Sequence, residues 1–494
     1  MRYPSAWCLV LTSFSYFSLE AWAWPTRHEK PPVCIIGAGP AGLATASKLE
    51  AKGIRAVMFE KQAEVGGKSQ AWYDEAGIFH PLGAAFFSNG SYPETLKVLN
   101  QTSVTASEFA LSGTRTMYAF NYTTGATQPV ANLAQGALGI LAAEIPLYTM
   151  LWNKVFAPIG VPNYKVNNSH STSYIWVLTY AKNGVPEELT VSGADWFRAN
   201  NLTLLPRLLV NPLALYGYGD INVVPALYVL RYFTPDILAA FVGQRNAYYI
   251  DFHKVFVQWA EKIACKTPIN LSHEVRCVDR SGKNPVLKYT KPHGNFYKWG
   301  SQKCSEVVFA FPPTIENLER TGLDLTEDEQ DLFSDVLTHN YFSSAVKFNL
   351  PYNASYIAQS ANSTVPPPNV GEPVAVLRLS RDSDVVTSWS WGPDREFMSE
   401  KYARNLLQTT LSKINRDPGN LTAQAEPLCS DDIKAFRKWD YFPHFDTEPL
   451  RNGSYAKLNK IQGQKKSFWA SGLSGMEIVE WAIRGGQDVV DSYF

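Results

Sequence analysis

The chain lacks a surplus of either charge and lacks the residue clusters that bind metal ions. Lys plus Arg and Asp plus Glu number 45 each in 494 residues, so no basic surface for nucleic acid or another polyanion is predicted. The six cysteines and eight histidines are few, and none of the cysteines has metal-ligand spacing. We therefore predict neither a nucleic-acid partner nor a metal site.

No part of the mature chain has the features of a transmembrane helix. Residues 130–152 are largely apolar, but Glu144 and Pro146 interrupt them, and neither residue is expected in the middle of a lipid-facing helix. We expect helices of a substrate domain here, which either line an apolar pocket or only pack in the core. The mature chain is predicted to have no integral membrane span.

Residues 1–23 have the features of a secretory signal peptide. Arg2 lies near the start, an apolar run follows at residues 8–19, and Ala21-Trp22-Ala23 offers a small-x-small cleavage site. The apolar run is too short to span a bilayer comfortably. An uncleaved membrane anchor is the alternative interpretation.

Asn-x-Ser/Thr sequons support passage through the secretory pathway, because chance supplies only a few in a chain of this size. We therefore expect a protein that is secreted or resides in the lumen of this pathway. The predicted glycosylation sites are Asn89, Asn100, Asn121, Asn167, Asn201, Asn270, Asn353, Asn362, Asn420 and Asn452.

Cysteine positions leave the disulfide pattern open. Cys34 lies inside a predicted strand and is expected to be a buried apolar thiol rather than a disulfide partner. The remaining cysteines of the mature chain can form up to two bridges, whose pairing the sequence does not define. These four are Cys265, Cys277, Cys304 and Cys429.

A glycine-rich turn near the start of the mature chain predicts a dinucleotide-binding βαβ unit. The β-branched run at residues 33–36 leads into Gly37-x-Gly39-x-x-Gly42, and a second apolar run ends at Glu60. Gly37 permits the tight turn, Gly39 lets the backbone approach a pyrophosphate, and Gly42 allows close packing of helix on strand. The helix N-terminus supplies amide donors, and Glu60 would accept hydrogen bonds from a ribose diol.

A second glycine pair distinguishes FAD from NAD. The stretch from Glu60 through Gly66-Gly67 to Lys68 resembles the Glu-x5-Gly-Gly-(Arg/Lys) signature of the flavin amine oxidase superfamily. The resemblance implies FAD as the cofactor. The expected cofactor-binding residues are Gly37, Gly39, Pro40, Ala41, Gly42, Glu60, Lys61, Gly66, Gly67, Lys68, Gly83, Ala84, Val275, Gly472 and Met476.

The same resemblance implies the domain organisation. The fold class is α/β, a discontinuous Rossmann-like FAD-binding domain with an inserted α+β substrate domain, as in amine oxidases. After the signal peptide, the FAD-binding domain is expected at residues 30–92, 246–313 and 432–494. The substrate domain is expected at residues 93–245 and 314–431.

Two positions depart from the superfamily pattern. Lys68 follows the glycine pair where amine oxidases usually have Arg, and Ala470-Ser471-Gly472 stands where relatives have an acid that meets the ribityl chain. Glu477 is a candidate replacement for that acid. The cysteine nearest the C-terminus is Cys429, so the covalent flavin link of monoamine oxidases is not expected and FAD is predicted to bind noncovalently.

Two further stretches resemble particular relatives. Residues 211–230, with the sequence Tyr216-Gly-Tyr218-Gly, resemble the substrate domain of polyenoic fatty acid isomerases, and Trp439-Asp-Tyr441-Phe-Pro-His444 resembles their C-terminal region. The overall arrangement, with its signal peptide, is similar to the β-cyclopiazonate dehydrogenase family of fungal flavoenzymes.

Two residues are candidates for catalysis. Lys347 ends a segment that alternates like a strand and falls where the superfamily often has a lysine beside flavin N5, where a cation favours reaction with O2; an ordinary surface lysine is the alternative. His444 could accept a proton near neutral pH; a hydrogen-bonded structural histidine is the alternative. Tyr441, Phe442, Phe468 and Trp469 are expected either to form the wall of a substrate pocket or to pack in the core.

The expected function is that of an FAD-dependent oxidoreductase that takes a hydride from a small apolar organic substrate. No second glycine-rich nucleotide motif occurs, so the organic substrate must reduce the flavin, and O2 is a candidate electron acceptor. The resemblance implies a role in secondary-metabolite biosynthesis. The alternatives are a polyenoic fatty acid isomerase without net redox change, an amine oxidase, and a non-catalytic FAD-binding secreted protein.

Overall fold

The chain folds into a mixed α/β architecture, seen in a computed structural model. The structure describes residues 30–111, 115–130, 138–164, 184–294, 296–358, 369–393, 398–420 and 422–494. The predicted signal peptide, Asn167 and Asn362 lie outside the described residues.

The strands, numbered along the chain, are β1 Val33–Ile36, β2 Ala56–Phe59, β3 Ala71–Tyr73, β4 Phe79–Pro81, β5 Phe86–Phe87, β6 Ser107–Phe109, β7 Thr116–Phe120, β8 Thr127–Pro129, β9 Ala247–Tyr249, β10 Ile269–Asn270, β11 Glu274–Asp279, β12 Val286–His293, β13 Phe296–Lys303, β14 Val307–Phe309, β15 Val336–Lys347, β16 Ala354–Ala358, β17 Ala375–Leu377, β18 Val385–Gly392, β19 Ile433–Phe445 and β20 Ser467–Trp469.

The helices are α1 Pro40–Ala51, α2 Pro93–Leu99, α3 Leu138–Val155, α4 Gly193–Ala199, α5 Leu205–Leu215, α6 Ala226–Tyr232, α7 Pro235–Phe241, α8 Phe252–Ala264, α9 Ile315–Arg320, α10 Glu327–Ser334, α11 Glu400–Leu411, α12 Thr447–Arg451, α13 Ser454–Ile461 and α14 Val479–Tyr493.

A five-stranded parallel sheet carries the nucleotide-binding turn. Its strand order is β10-β2-β1-β14-β20, so segments from distant parts of the chain meet in one sheet. Every residue of β1, β2, β14 and β20 is buried, as expected for a parallel sheet covered on both faces. Helices α1 and α14 pack together beside this sheet. This discontinuous parallel sheet confirms the predicted fold class.

A seven-stranded sheet forms the core of the second domain. Its order is β19-β15-β18-β17-β16-β7-β8, and β15 pairs with both β18 and β19 as an antiparallel strand. The sequence predicts that residues 432–494, which include β19, belong to the FAD-binding domain. The boundary is wrong because β19 pairs with the substrate-domain sheet along most of its length.

The apolar stretch 130–152 contributes α3, which contains Pro146. Glu144 is buried on α3, where its carboxylate accepts hydrogen bonds from the amides of Thr203 and Leu204 at the start of α5. Glu144 thus lies within the apolar run because its carboxylate binds the free amides at the N-terminus of α5. Within the part of the chain that the structure describes, no helix combines the length and apolar character needed to cross a membrane.

The structure contains a disulfide between Cys34 and Cys304. Both residues are fully buried, and their Cα atoms are 5.6 Å apart. Parallel pairing of β1 with β14 brings together two cysteines that are 270 residues apart in sequence. The prediction of a free thiol at Cys34 is therefore wrong. Cys265, Cys277 and Cys429 are free thiols.

Replacing this disulfide is expected to destabilise the fold. Cys34→Ala with Cys304→Ala should lower the free energy of unfolding by roughly 2–5 kcal/mol, since the bridge constrains a long loop of the unfolded chain. Denaturant unfolding of the purified protein measures the change. The matched control is Cys265→Ala, which removes an exposed free thiol; equal stability of the double variant and this control would contradict the assignment.

Candidate functional site

Two glycine turns meet at the start of α1. Gly39 occupies the N-cap position and offers no side-chain cap, so the first amides of α1 remain free to bind a ligand. The amide of Gly66 donates to the carbonyl of Ala38 at 3.0 Å. A Cβ atom on Gly39 would have only the Gly67 backbone nearby, 3.7 Å from Gly67 Cα. The space over the two turns is open and suits a pyrophosphate.

An acidic side chain lies beside this cradle. Glu60 follows β2 and is buried, and its carboxylate accepts hydrogen bonds from the amides of Ala38 and Gln62, each at 2.8 Å. These bonds fix the carboxylate next to the glycine turn, as a ribose contact requires. Lys61 is exposed, and Val275 is buried on β11.

The glycine turns open into a cavity at the boundary between the two domains. Lys68, Gly83 and Ala84 line it from the FAD-binding side, and Glu477 joins them from the segment before α14. Lys68 Nζ lies 3.2 Å from Glu477 Oε2. Both atoms are buried, and beyond this ion pair neither makes a hydrogen bond, so each has capacity left for a polar atom of a cofactor.

Gly472 and Met476 support this end of the cavity without lining it. Both residues are buried, and a Cβ atom on Gly472 would come within 2.6 Å of Glu477 Oε2. The glycine therefore leaves room for the carboxylate of Glu477, the candidate replacement for the acid of the superfamily pattern. The free amides, the open cradle and the buried Lys68–Glu477 ion pair together fit FAD.

Aromatic side chains form the opposite wall of the cavity. They come from β5, the residue before α2, the segment after α5, α6, β15, β18 and β19, so parts of the chain far apart in sequence build one surface. The wall consists of Phe86, Tyr92, Tyr216, Tyr218, Tyr232, Tyr341, Trp389, Trp439 and Tyr441.

Hydrogen bonds to backbone carbonyls orient the phenols. The hydroxyls of Tyr441 and Tyr218 donate to the carbonyl of Glu477 at 2.9 Å and 3.1 Å, and that of Tyr341 donates to Leu215 at 2.9 Å. Burial raises the pKa of Tyr218, Tyr341 and Tyr441 above its ordinary value. The wall therefore stays uncharged at physiological pH and presents aromatic faces and neutral hydroxyls to a substrate.

Lys347 does not reach the cavity. It ends β15, is 56% exposed and pairs with Asp384 at 3.8 Å. The cavity-lining residue of the same strand is Tyr341, and six residues of strand separate the two by about 20 Å. The proposed role of Lys347 beside flavin N5 is therefore wrong, and the alternative of a surface lysine holds.

His444 is a structural histidine. It is 4% exposed, stacks on Phe442 with ring centroids 4.2 Å apart, and places Nδ1 2.7 Å from the Phe442 carbonyl. Burial, with the nearby His339 as a second cause, lowers the pKa of His444 to about 3. The side chain cannot act as a base that titrates near neutral pH and does not line the cavity.

Three of the four aromatic pocket residues expected from the sequence pack in the core. Phe442 contacts Tyr218 and Tyr228, Trp469 stacks on Phe309 in the parallel sheet, and Phe468 packs against the C-terminal residues. Only Tyr441 lines the cavity. The missed wall residues carry no local signal beyond the high content of Tyr and Trp, 25 and 14 residues.

The described sequons differ in accessibility. Asn121 and Asn270 are half-buried. The side-chain amide of Asn270 donates to the Met58 carbonyl at 3.0 Å within the parallel sheet, so this sequon is less accessible than the exposed ones. The exposed sequon residues are Asn89, Asn100, Asn201, Asn353, Asn420 and Asn452.

Comparison with known proteins agrees with this site. Residues 35–102 match the NAD(P)-binding Rossmann-like domain. An uncharacterized protein, R656, of Acanthamoeba polyphaga mimivirus is 25% identical and covers 90% of this chain and 89% of its own. The FAD-dependent oxidoreductase dpasF of Apiospora sacchari is 22% identical, over 88% of this chain and 87% of its own. The FAD-dependent oxidoreductase oblC of Cochliobolus heterostrophus is 23% identical, over 88% of this chain and 85% of its own.

Solved structures share the fold. The fatty acid isomerase of P. acnes that produces CLA superposes with a TM-score of 0.73 at 18% identity, covering 94% of this chain and 99% of its own. The cyclohexylamine oxidase of Brevibacterium oxydans gives a TM-score of 0.58 at 15% identity, covering 94% and 98%. The solved structures confirm an amine oxidase-like fold, and the sequence relatives support FAD as the cofactor and an oxidoreductase as the enzyme class.

The two lysines with assigned roles should respond differently to the same replacement. Lys68→Met is expected to weaken FAD binding on the order of tenfold, because it removes a charged partner of the cofactor site. Lys347→Met should leave FAD affinity, flavin reduction and reoxidation unchanged. Titration of the apoprotein with FAD and stopped-flow absorbance measure these quantities; a slowed reoxidation in Lys347→Met would restore its catalytic role.

His444 should make the fold acid-sensitive. The pKa of His444 is lower in the folded protein than in the unfolded chain. The free energy of unfolding is therefore highest above about pH 6.5. Below that pH the unfolded chain binds a proton that the folded protein does not, and the free energy of unfolding falls by up to about 1.4 kcal/mol per pH unit. His444→Gln should flatten the dependence of unfolding free energy on pH between neutrality and pH 5. Replacement of the exposed His293 controls for loss of an imidazole; an unchanged slope in His444→Gln would refute the prediction.

Proposed function

We propose that the protein removes a hydride from an apolar organic substrate held between the cofactor and the aromatic wall. The observation that carries this proposal is the cavity itself, which joins the FAD cradle to nine aromatic side chains. When bound, FAD supplies a two-electron acceptor for the substrate hydride. The setting is proposed to be secondary-metabolite biosynthesis, in line with the family resemblance.

The wall residues bind and orient the substrate rather than exchange protons with it. Tyr218, Tyr441 and Tyr341 are held by backbone carbonyls, and their raised pKa values keep them neutral. Aromatic faces exclude water and stabilise positive charge that develops on a substrate carbon as the hydride leaves. Such a wall suits dehydrogenation or oxidative cyclisation of an apolar molecule.

A second candidate function is double-bond isomerisation of a polyunsaturated fatty acid without net redox change. Among the described residues that line the cavity, Lys68 is the one lysine, and it lies beside Glu477 in the cofactor region. Lys347 lies outside the cavity, so the lysine that was expected to favour reaction of the flavin with O2 is not at the site. The P. acnes isomerase shares the fold across 94% of this chain, which supports keeping this candidate.

We also propose that the protein acts in the secretory pathway. The buried Cys34–Cys304 disulfide supports an oxidising compartment. The exposed sequon residues, such as Asn89 and Asn452, are accessible for glycosylation. The predicted leader at residues 1–23 adds to this support.

The flavin spectrum under anaerobic conditions tests the proposed reaction. Substrate candidates, including linoleic acid, are added to the FAD-loaded protein without oxygen, and air is admitted last. We expect stable bleaching that recovers with O2 and yields peroxide. New diene absorbance with transient bleaching and no O2 uptake would assign the isomerase instead, and an unchanged spectrum with every substrate would contradict both.

A matched pair of tryptophans tests the role of the aromatic wall. Trp389 and Trp391 are both buried on β18, but only Trp389 lines the cavity. Trp389→Leu should weaken substrate binding on the order of tenfold through lost apolar contact, whereas Trp391→Leu should retain the wild-type affinity. Flavin absorbance and melting temperature, measured in both variants, separate this effect from misfolding; equal substrate affinities would contradict the assignment of the wall.

A further inference from the structure

The β12–β13 hairpin exposes the most accessible large aromatic side chains of the described residues. Phe296, Tyr297 and Trp299 are 78%, 73% and 65% exposed. Strand β11 pairs with β12 only as far as Thr290, so the chain beyond it projects as a two-stranded hairpin tip, residues 291–294 and 296–299. Because these large aromatic side chains are exposed and belong to no core, they indicate a surface that contacts an apolar partner.

The same hairpin is purely cationic. Residues 286–303 contain four lysines and one histidine and no acidic residue. Lys291 pairs directly with Lys298 across the two strands, an arrangement that destabilises a hairpin because like charges face each other. The structure records no acidic partner for either lysine within the described residues. An anionic surface outside the protein would remove this repulsion.

The arrangement of side chains favours a bilayer over a protein partner. Successive residues of a strand point to opposite faces, so Tyr297 and Trp299 lie on one face of the tip, and Phe296 lies on the other with Lys291 and Lys298. A protein partner would cover one face, whereas the interfacial region of a bilayer surrounds both. No Asn-x-Ser/Thr sequon falls within residues 286–303, so no N-linked glycan is attached to the hairpin.

We propose that the hairpin tip docks the protein on an anionic lipid bilayer. The aromatic rings enter the headgroup region, which Trp and Tyr prefer, and the lysines contact acidic headgroups. The protein lies on the membrane and does not span it. This inference is independent of the reaction proposed for the cavity.

Cosedimentation with vesicles tests the proposal on the FAD-loaded mature protein. Vesicles of equimolar phosphatidylcholine and phosphatidylserine should bind the wild type, and phosphatidylcholine alone should bind it far less. Tyr297→Ser with Lys298→Ser should reduce binding to the mixed vesicles on the order of tenfold, since each lysine near an anionic surface contributes about fivefold and the ring adds apolar contact.

A neighbouring Tyr–Lys pair elsewhere on the surface provides the control. Lys401 and Tyr402 are both exposed on α11, with Tyr402 55% exposed, so Lys401→Ser with Tyr402→Ser makes the same chemical change away from the hairpin. This control should bind vesicles as the wild type does. Equal losses in the two double variants, equal binding to both vesicle types, or no binding by the wild type would each overturn the proposal.

Light scattering distinguishes membrane docking from the alternative that the hairpin tip binds a second copy of this chain. If the tip instead joined two copies of this chain, the wild type would have the mass of a dimer and Tyr297→Ser with Lys298→Ser that of a monomer. That outcome would overturn membrane docking. Equal masses of the two proteins, together with the loss of vesicle binding, would support it; flavin absorbance and melting temperature confirm that both variants are folded.

Discussion

Close packing of α14 on α1 is the contact on which the cofactor site depends. Any side chain at Gly486 would collide with the carbonyl oxygen of Ala41, so only glycine lets the two helices approach this far. Lys52 Nζ adds a hydrogen bond to the Val490 carbonyl at 2.9 Å. Because α1 begins at the nucleotide turn and α14 begins at the cavity with Val479, this contact fixes the distance between the two ends of the site.

The first turn of α14 is held by buried charges. Glu480 is fully buried, and its carboxylate accepts hydrogen bonds from the Thr95 amide at 2.9 Å and from Arg484 at 2.6 Å; a carboxylate in the first turn also interacts favourably with the helix dipole. The guanidinium of Arg231, also buried, lies 3.7 Å from the Trp481 ring centroid, where cation–π attraction offsets part of its desolvation. These contacts position the segment that supplies Glu477 to the cavity.

Features that depend on neighbours in sequence could be predicted, and features that depend on strand pairing could not. The βαβ unit, Glu60 and the FAD signature are local patterns, and the predicted fold class follows from them. The Cys34 disulfide requires a strand 270 residues away. The sequence shows the alternation along β15 but not the point at which the strand meets the cavity, which is Tyr341 and not Lys347. Burial, which lowers the pKa of His444, is equally invisible in a short aromatic stretch.

A bulge in β19 decides which of its aromatic residues reach the cavity. Leu337 pairs with His444 and His339 with Tyr441, so two residues of β19 oppose one of β15, and Phe442 has a φ of 55°, which costs strain in a bulky residue. Tyr441 consequently faces the cavity while Phe442 points into the core. A shift of one residue would exchange them, replacing a phenol bound to Glu477 with a side chain that cannot donate. The strained bulge thus positions the wall against the segment that contacts the cofactor.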